Sequence, residues 1–167
     1  SKEIFETPFQ LFYSRRVGNF PRPSNAQLSE RRILGETERG QLVELDPLSR
    51  ILVSARMTGK ISDDWVLGAL TATTGPTFGV EEFSDGTRNT VDVEPTTQWS
   101  VLRLRRHFGA RSWVGGMVTN VGRFNGAKDA TTGGVDYNVQ FRERFNHGAQ
   151  LIATHDGERS GFGGQMG

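Results

Sequence analysis

Residues 135–144 read Val-Asp-Tyr-Asn-Val-Gln-Phe-Arg-Glu-Arg. Val135, Tyr137, Val139 and Phe141 are apolar, and Asp136, Asn138, Gln140, Arg142 and Arg144 are polar. Side chains alternate faces along a strand, so this segment has one dry face and one wet face. No helical phase gathers the four apolar residues on one side. Two folds accommodate such a strand. The dry face packs on a soluble core, or it meets lipid while the wet face lines an aqueous lumen.

Seven segments have strand character: 9–17, 51–58, 65–74, 97–106, 112–121, 135–144 and 149–154. In the second, Ile51, Val53, Ala55 and Met57 alternate with Leu52, Ser54, Arg56 and Thr58. In the third, Val66, Gly68, Leu70 and Ala72 form an apolar phase and the other ends in Thr71 and Thr73. In the fourth, Leu102 and Leu104 oppose Val101, Arg103 and Arg105. The fifth is apolar on both phases, which leaves its facing open. In the seventh, Ala149, Leu151 and Ala153 oppose Gln150 and Thr154. No segment reads as a convincing amphipathic helix; the charged stretch 28–39 comes nearest, and Gly35 and Thr37 weaken it.

The connections carry more information. Residues 59–64, 107–111 and 145–148 make short links, and 18–48, 75–96 and 122–134 make long ones, in strict alternation. A meander with short turns at one end and long polar loops at the other is the construction of outer-membrane barrels. Greek-key sandwiches mix their connections less regularly. Long structureless loops are also uncommon in compact soluble domains. The predicted fold is all-β, an antiparallel up-and-down meander of about seven strands forming a segment of an outer-membrane-type β-barrel. With the short turns periplasmic, residues 18–48, 75–96 and 122–134 are extracellular and Ser1 begins on the periplasmic side. An odd strand count and two unpaired edges argue that residues 1–167 form a single partial barrel domain within a larger protein. The start at Ser1, without an initiator Met or signal-like stretch, is read as that of a processed or excised chain.

Composition narrows the alternatives. With 20 basic and 19 acidic residues the net charge is +1, which gives no reason to expect nucleic-acid binding. The absence of cysteine excludes disulfides and thiolate metal sites. No apolar run approaches the roughly 20 residues of a membrane helix, but barrel strands need only alternate apolar residues.

Three stretches carry a family resemblance: IFETPFQLFYSRRVG at 4–18, ILVSARMTGK with WVLGALTATTG across 51–75, and VEPTTQWSVLRLRRHFGARSWVGGMVTNVGR at 93–123. Phe12 to Arg16 and Thr58 to Lys60 are the most specific pieces. Together they resemble the C-terminal domain of a family of large bacterial envelope proteins of uncharacterised function. Its members often carry an N-terminal family-9-type carbohydrate-binding domain, and their C-terminal domain resembles an outer-membrane barrel. The resemblance implies an outer-membrane location and a link to extracellular glycans through a domain preceding Ser1. It supplies no catalytic residues.

The functional candidates follow from the strand phases. Arg16, Arg56, Arg103, Arg105, Arg142 and Arg144, with Lys60 at a strand end, are assigned to the lumen. An arginine facing lipid at the midplane costs about 2–4 kcal/mol. Ile51, Val53, Met57, Leu102, Leu104, Val135, Tyr137, Val139 and Phe141 are assigned to lipid, with Glu143 near the membrane boundary. The arginines either make an electropositive pore for anions or pair with Asp136 and other carboxylates in a filled lumen, and the filled lumen is favoured. Trp65, Trp99, Trp113 and Tyr13 lie near strand ends and are read as interfacial girdle or core-packing residues. Sugar-stacking platforms are the other use for such rings.

No catalytic constellation emerges, and the chain is read as non-enzymatic. Asp63 with Asp64 and Glu81 with Glu82 are adjacent, so their side chains diverge in extended chain and form no acid–base dyad. Residues 84–89 lack the ligand spacing of an EF-hand. His107, His147 and His155 have no zinc spacing, and Ser160 lacks a nucleophile-elbow context. No cofactor or metal is called. The expected partner is outer-membrane lipid, with glycans through the preceding domain, and the expected role is transport, anchoring or surface display. The competing reading is a soluble β-rich carbohydrate-binding module.

Overall fold

The computed structural model describes residues 3–5, 7, 17, 26–33, 35–108, 111–124, 129–141 and 145–167. The described residues contain no α-helix. They form twelve strands and one 3₁₀ turn at Glu3–Phe5. The strands are β1 (Glu30–Ile33), β2 (Glu36–Arg39), β3 (Gln41–Leu45), β4 (Ile51–Lys60), β5 (Trp65–Thr74) and β6 (Thr77–Glu82). They continue as β7 (Arg88–Glu94), β8 (Thr97–Phe108), β9 (Ser112–Arg123), β10 (Ala130–Phe141), β11 (Phe145–His155) and β12 (Ser160–Met166).

Seven of these make one antiparallel sheet in the order β12-β11-β10-β9-β8-β5-β4. Apart from β6 and β7, inserted between β5 and β8, each strand lies beside its chain neighbour, as an up-and-down meander requires. Among the described residues the sheet is not closed: β4 and β12 are its edges and do not pair with each other. The expected segments from 51 to 154 all appear as strands of it. Of the expected strand at 9–17, residues 9–16 lie outside the described residues and Val17 is in a turn. The described sheet also holds β12, in the Gly-rich stretch that reads as a tail. The sixth strand starts earlier than expected, at Ala130, and Phe145 to Gly148, expected as a short link, instead lie within β11.

The long connection 75–96 is not irregular. It holds the β6–β7 hairpin, which with β3 makes a three-stranded sheet in the order β3-β6-β7. Pro47, Pro76 and Pro95 lie at the three junctions between β3 and β4, β5 and β6, and β7 and β8. Proline has no N–H to give to a ladder, so the long strands break there and the smaller sheet extends beyond the larger one. Hydrogen bonds from Gly75 N–H to the Arg50 carbonyl at 2.8 Å and from Asp46 N–H to the Phe78 carbonyl at 3.1 Å bridge the breaks.

The stretch 28–39, which reads as no convincing helix, forms the β1–β2 hairpin over Glu30–Arg39. Gly35, at φ +91°, supplies the left-handed backbone of its turn. Charges clamp this hairpin to the tip of β6–β7. Arg31 pairs with Glu38 at 2.8 Å and Asp85 at 2.9 Å, and its guanidinium lies 4.1 Å over the Phe83 ring. The Arg31 pairing and the Thr87 N–H hold Asp85 well below the usual carboxylate range. Glu38 is lowered by the Ser84 N–H and by Arg31. Burial pushes the Glu81 carboxyl up, but bonds from the Ser29 N–H at 2.7 Å and Asn89 outweigh it and leave it lowered.

Candidate lipid-facing band and arginine face

Cross-strand partners share a face, so the register sorts every side chain of the large sheet. One row runs Val66, Arg105, Gly115, Asp136, Gln150, Gln165, and the next Gly68, Arg103, Met117, Gly134, Ile152, Gly163. Arg56 joins this face opposite Leu70. The other face carries Leu67, Leu104, Gly116, Val135, Leu151 and Gly164 in one row and Ala69, Leu102, Val118, Gly133, Ala153 and Phe162 in another. The register also settles the fifth expected strand: Val114 and Val118 join the leucine face, Trp113 and Met117 the arginine face.

Burial is inverted relative to a soluble sheet. On the leucine face Leu102 is 53% exposed, Val118 50%, Val135 56% and Leu151 64%. On the arginine face Arg103 is 0% exposed, Gln150 1% and Asp136 2%. Soluble domains bury their aliphatic side chains and leave charged ones wet.

The buried charges form a pair, with Arg103 Nε left without a hydrogen-bond partner among the described residues. Arg103 donates from Nη1 and Nη2 to the two carboxylate oxygens of Asp136 at 2.5 and 2.7 Å. These residues lie on β8 and β10, with β9 between them, and Gly115 makes the bridge possible. A Cβ at Gly115 would lie 3.2 Å from Arg103 Cζ and Nη2. The guanidinium therefore passes over bare backbone. The Trp113 ring closes the site, 5.7 Å from the Arg103 guanidinium and 4.2 Å from that of Arg105. Cations over an indole face are attracted by its quadrupole.

The 3₁₀ turn covers the same face. Ile4 and Phe5 are buried with Val101 and Met117, and Val66 and Leu70 pack against them. This explains why the apolar phase of β5 faces the arginines. A Cβ at Gly68 would meet Phe5 at 3.0 Å, so glycine opens the seat for the ring. Arg56 lies 5.2 Å from the Phe5 ring.

Arg56, Arg103 and Arg105 thus share one face. Arg16, Arg142, Arg144, Glu143 and Tyr13 lie outside the described residues. Val53, Met57, Leu102, Leu104, Val135, Tyr137, Val139 and Phe141 share the opposite face. Ile51 departs from the expectation. A register shift between Ile51 and Val53 sets Ile51 opposite Thr74 and Val53 opposite Thr73, so Ile51 loses the face of Val53.

The tryptophans, expected as girdle or core-packing residues, divide between the two faces. Trp65 lies on the leucine face, but Trp99, paired with Ala72, and Trp113 lie on the arginine face. The leucine-face aromatic row at the short-turn end is instead Trp65, Phe108, Tyr137, Phe141 and Phe145. Arg106 is the one Arg, Lys, Asp or Glu among the described leucine-face positions of β5 and β8 to β11, and its guanidinium lies 5.6 Å from the Trp65 ring. Its phase is that of Leu102 and Leu104, a signal present in the sequence.

The histidines do not converge: His147 bonds Tyr137 at 3.1 Å and His155 bonds Ser160 at 3.0 Å. Comparison with curated proteins and with solved structures gives no match. A family model described as a domain of unknown function, DUF5916, matches residues 2–160, and the chain belongs to that family.

Proposed function

We propose that this domain is a membrane-spanning β-barrel segment of a bacterial outer membrane, with its leucine face against lipid and its arginine face lining the lumen. One observation carries the reading: the aliphatic face is exposed while the opposite face buries an Arg–Asp pair. Water makes that arrangement unfavourable, at about 25 cal/mol for each Å² of apolar surface left wet. Hydrocarbon removes the penalty. Dimensions agree. The ten steps from Thr131 to Phe141 rise roughly 33 Å, which at about 40° of tilt crosses the ~25 Å apolar band of such barrels. The aromatic row at one end fits the headgroup level, where amphipathic rings are enriched.

The short turns then face the periplasm, and the β3-β6-β7 sheet with its β1–β2 clamp projects outside the cell. Among transport, anchoring and surface display, the filled interior favours the last two. The Arg103–Asp136 pair and the seated Ile4 and Phe5 occupy the space an open pore would need. A link to extracellular glycans enters through the envelope-family resemblance, as a function of a preceding domain.

Detergent dependence tests the reading. The full chain extracts from membranes only with detergent and aggregates on its removal. A chain that stays monomeric in plain buffer, with Val135 and Leu151 shielded, is instead the soluble carbohydrate-binding module.

A further inference from the structure

The leucine face is not uniform. Gly116 and Gly133 leave a shallow apolar groove of about 670 Å³ between Leu102, Val118, Val135 and Leu151, and Trp65 lines it as well. A Cβ would fit at either glycine in ordinary van der Waals contact, no closer than 3.8 Å to a neighbour at Gly133 and 3.7 Å at Gly116, so no packing clash requires glycine there. Arg106 lies beside the groove at the Trp65 ring. Among the described residues no carboxylate pairs with it, unlike Arg31, Arg88 and Arg103.

We infer that this groove is a binding site for one anionic phospholipid, with an acyl chain over Gly116 and Gly133 and the headgroup phosphate on Arg106. The inference rests on the membrane reading and adds a specific ligand to it. The occupant follows from charge and position. A lone guanidinium at the aromatic end of an apolar band lies at headgroup depth, where long cationic side chains reach the interface. Arginine presents a planar fork of N–H donors matched to phosphate oxygens. The groove continues the face already assigned to lipid, so an acyl chain enters it without leaving the bilayer. Glycine at both positions removes the side chains that would fill it.

The test reconstitutes the full chain in vesicles of phosphatidylcholine containing a minor fraction of phosphatidylglycerol, extracts it gently and counts retained lipids by native mass spectrometry. The wild type retains one phosphatidylglycerol, enriched over its bulk fraction. Arg106→Gln lowers that enrichment roughly tenfold, in keeping with loss of a hydrogen bond to a charged group. Gly133→Leu abolishes it while circular dichroism stays unchanged, and Arg106→Lys falls between. Retention at the bulk ratio, or equal enrichment in all variants, overturns the inference and leaves the membrane reading standing. A chain that does not insert at all overturns both.

Discussion

Removing the Asp136 carboxylate gives a large and discriminating prediction. Arg103 and Asp136 are 0% and 2% exposed and joined by two hydrogen bonds. Asp136→Ala leaves a guanidinium buried beside Gly115 and Trp113 with no counter-charge. Breaking a buried pair from one side costs about 3–5 kcal/mol, so the unfolding equilibrium shifts by at least roughly 150-fold. Replacing both members, as Arg103→Met with Asp136→Leu, removes the stranded charge. Such replacements are often close to neutral, so the double variant recovers most of the loss. The assay is guanidinium unfolding of the full chain from lipid vesicles, with the denaturant slope compared across variants to confirm that the same surface is exposed. A solvated pair in a water-filled lumen behaves like a surface ion pair, worth about 0–1 kcal/mol. A loss below 1 kcal/mol for Asp136→Ala therefore refutes the filled interior and restores the open pore.

Other outcomes follow from the same geometry. Val135→Arg, in mid-band, costs about 2–4 kcal/mol in the vesicle assay, whereas Thr131→Arg, near the band edge, costs about 0–1; equal costs at the two positions contradict the band. Gly40→Ala places a Cβ 2.5 Å from Glu81 Oε2, and overpacking a fully buried carboxylate destabilises by about 1–3 kcal/mol, read as earlier protease cleavage in the β1–β2 region. The clamp is acid-sensitive. Glu38, Glu81 and Asp85 are held below their unfolded values near 4, so their stabilisation is complete above about pH 4 and lost as pH falls through the folded values. Hydrogen-exchange protection, taken relative to the intrinsic rate at each pH, falls at the Ser29 and Ser84 amides, which donate to Glu81 and Glu38, as pH drops below 4, while that of β9 does not.

The large sheet was legible because period-two alternation survives wherever the two faces of a strand carry side chains of unlike polarity. Val135 to Phe141 and Leu102 to Leu104 show it with little interruption. β12 was not legible, because Gly161, Gly163 and Gly164 erase the pattern and leave only Phe162 and Met166 to mark a face. Glycine weakens a strand on its own account, and here the neighbouring β11 imposes the extended chain. β6 and β7 were read as loop because prolines bracket them and their acidic residues mask a short alternation. Gly35, which argues against a helix at 28–39 in the sequence, takes a left-handed φ that a helix interior does not use. The Arg103–Asp136 pair was half legible. Alternation places both on one face, but the register that brings them together across Gly115 depends on two strand pairings. The placement of Trp99 and Trp113 on the arginine face has the same cause: position near a strand end does not determine which way a side chain points.

The central claim is that one face of the large sheet meets lipid and the other does not. Because the chain has no cysteine, single cysteines introduced along β10 at 132, 135, 138 and 139 can be spin-labelled cleanly in the vesicle-reconstituted full chain. Collision with oxygen, which partitions into hydrocarbon, is predicted to be high at 135 and 139 and low at 132 and 138. Labels at 135 and 139 that are shielded from oxygen, or that report water, contradict it.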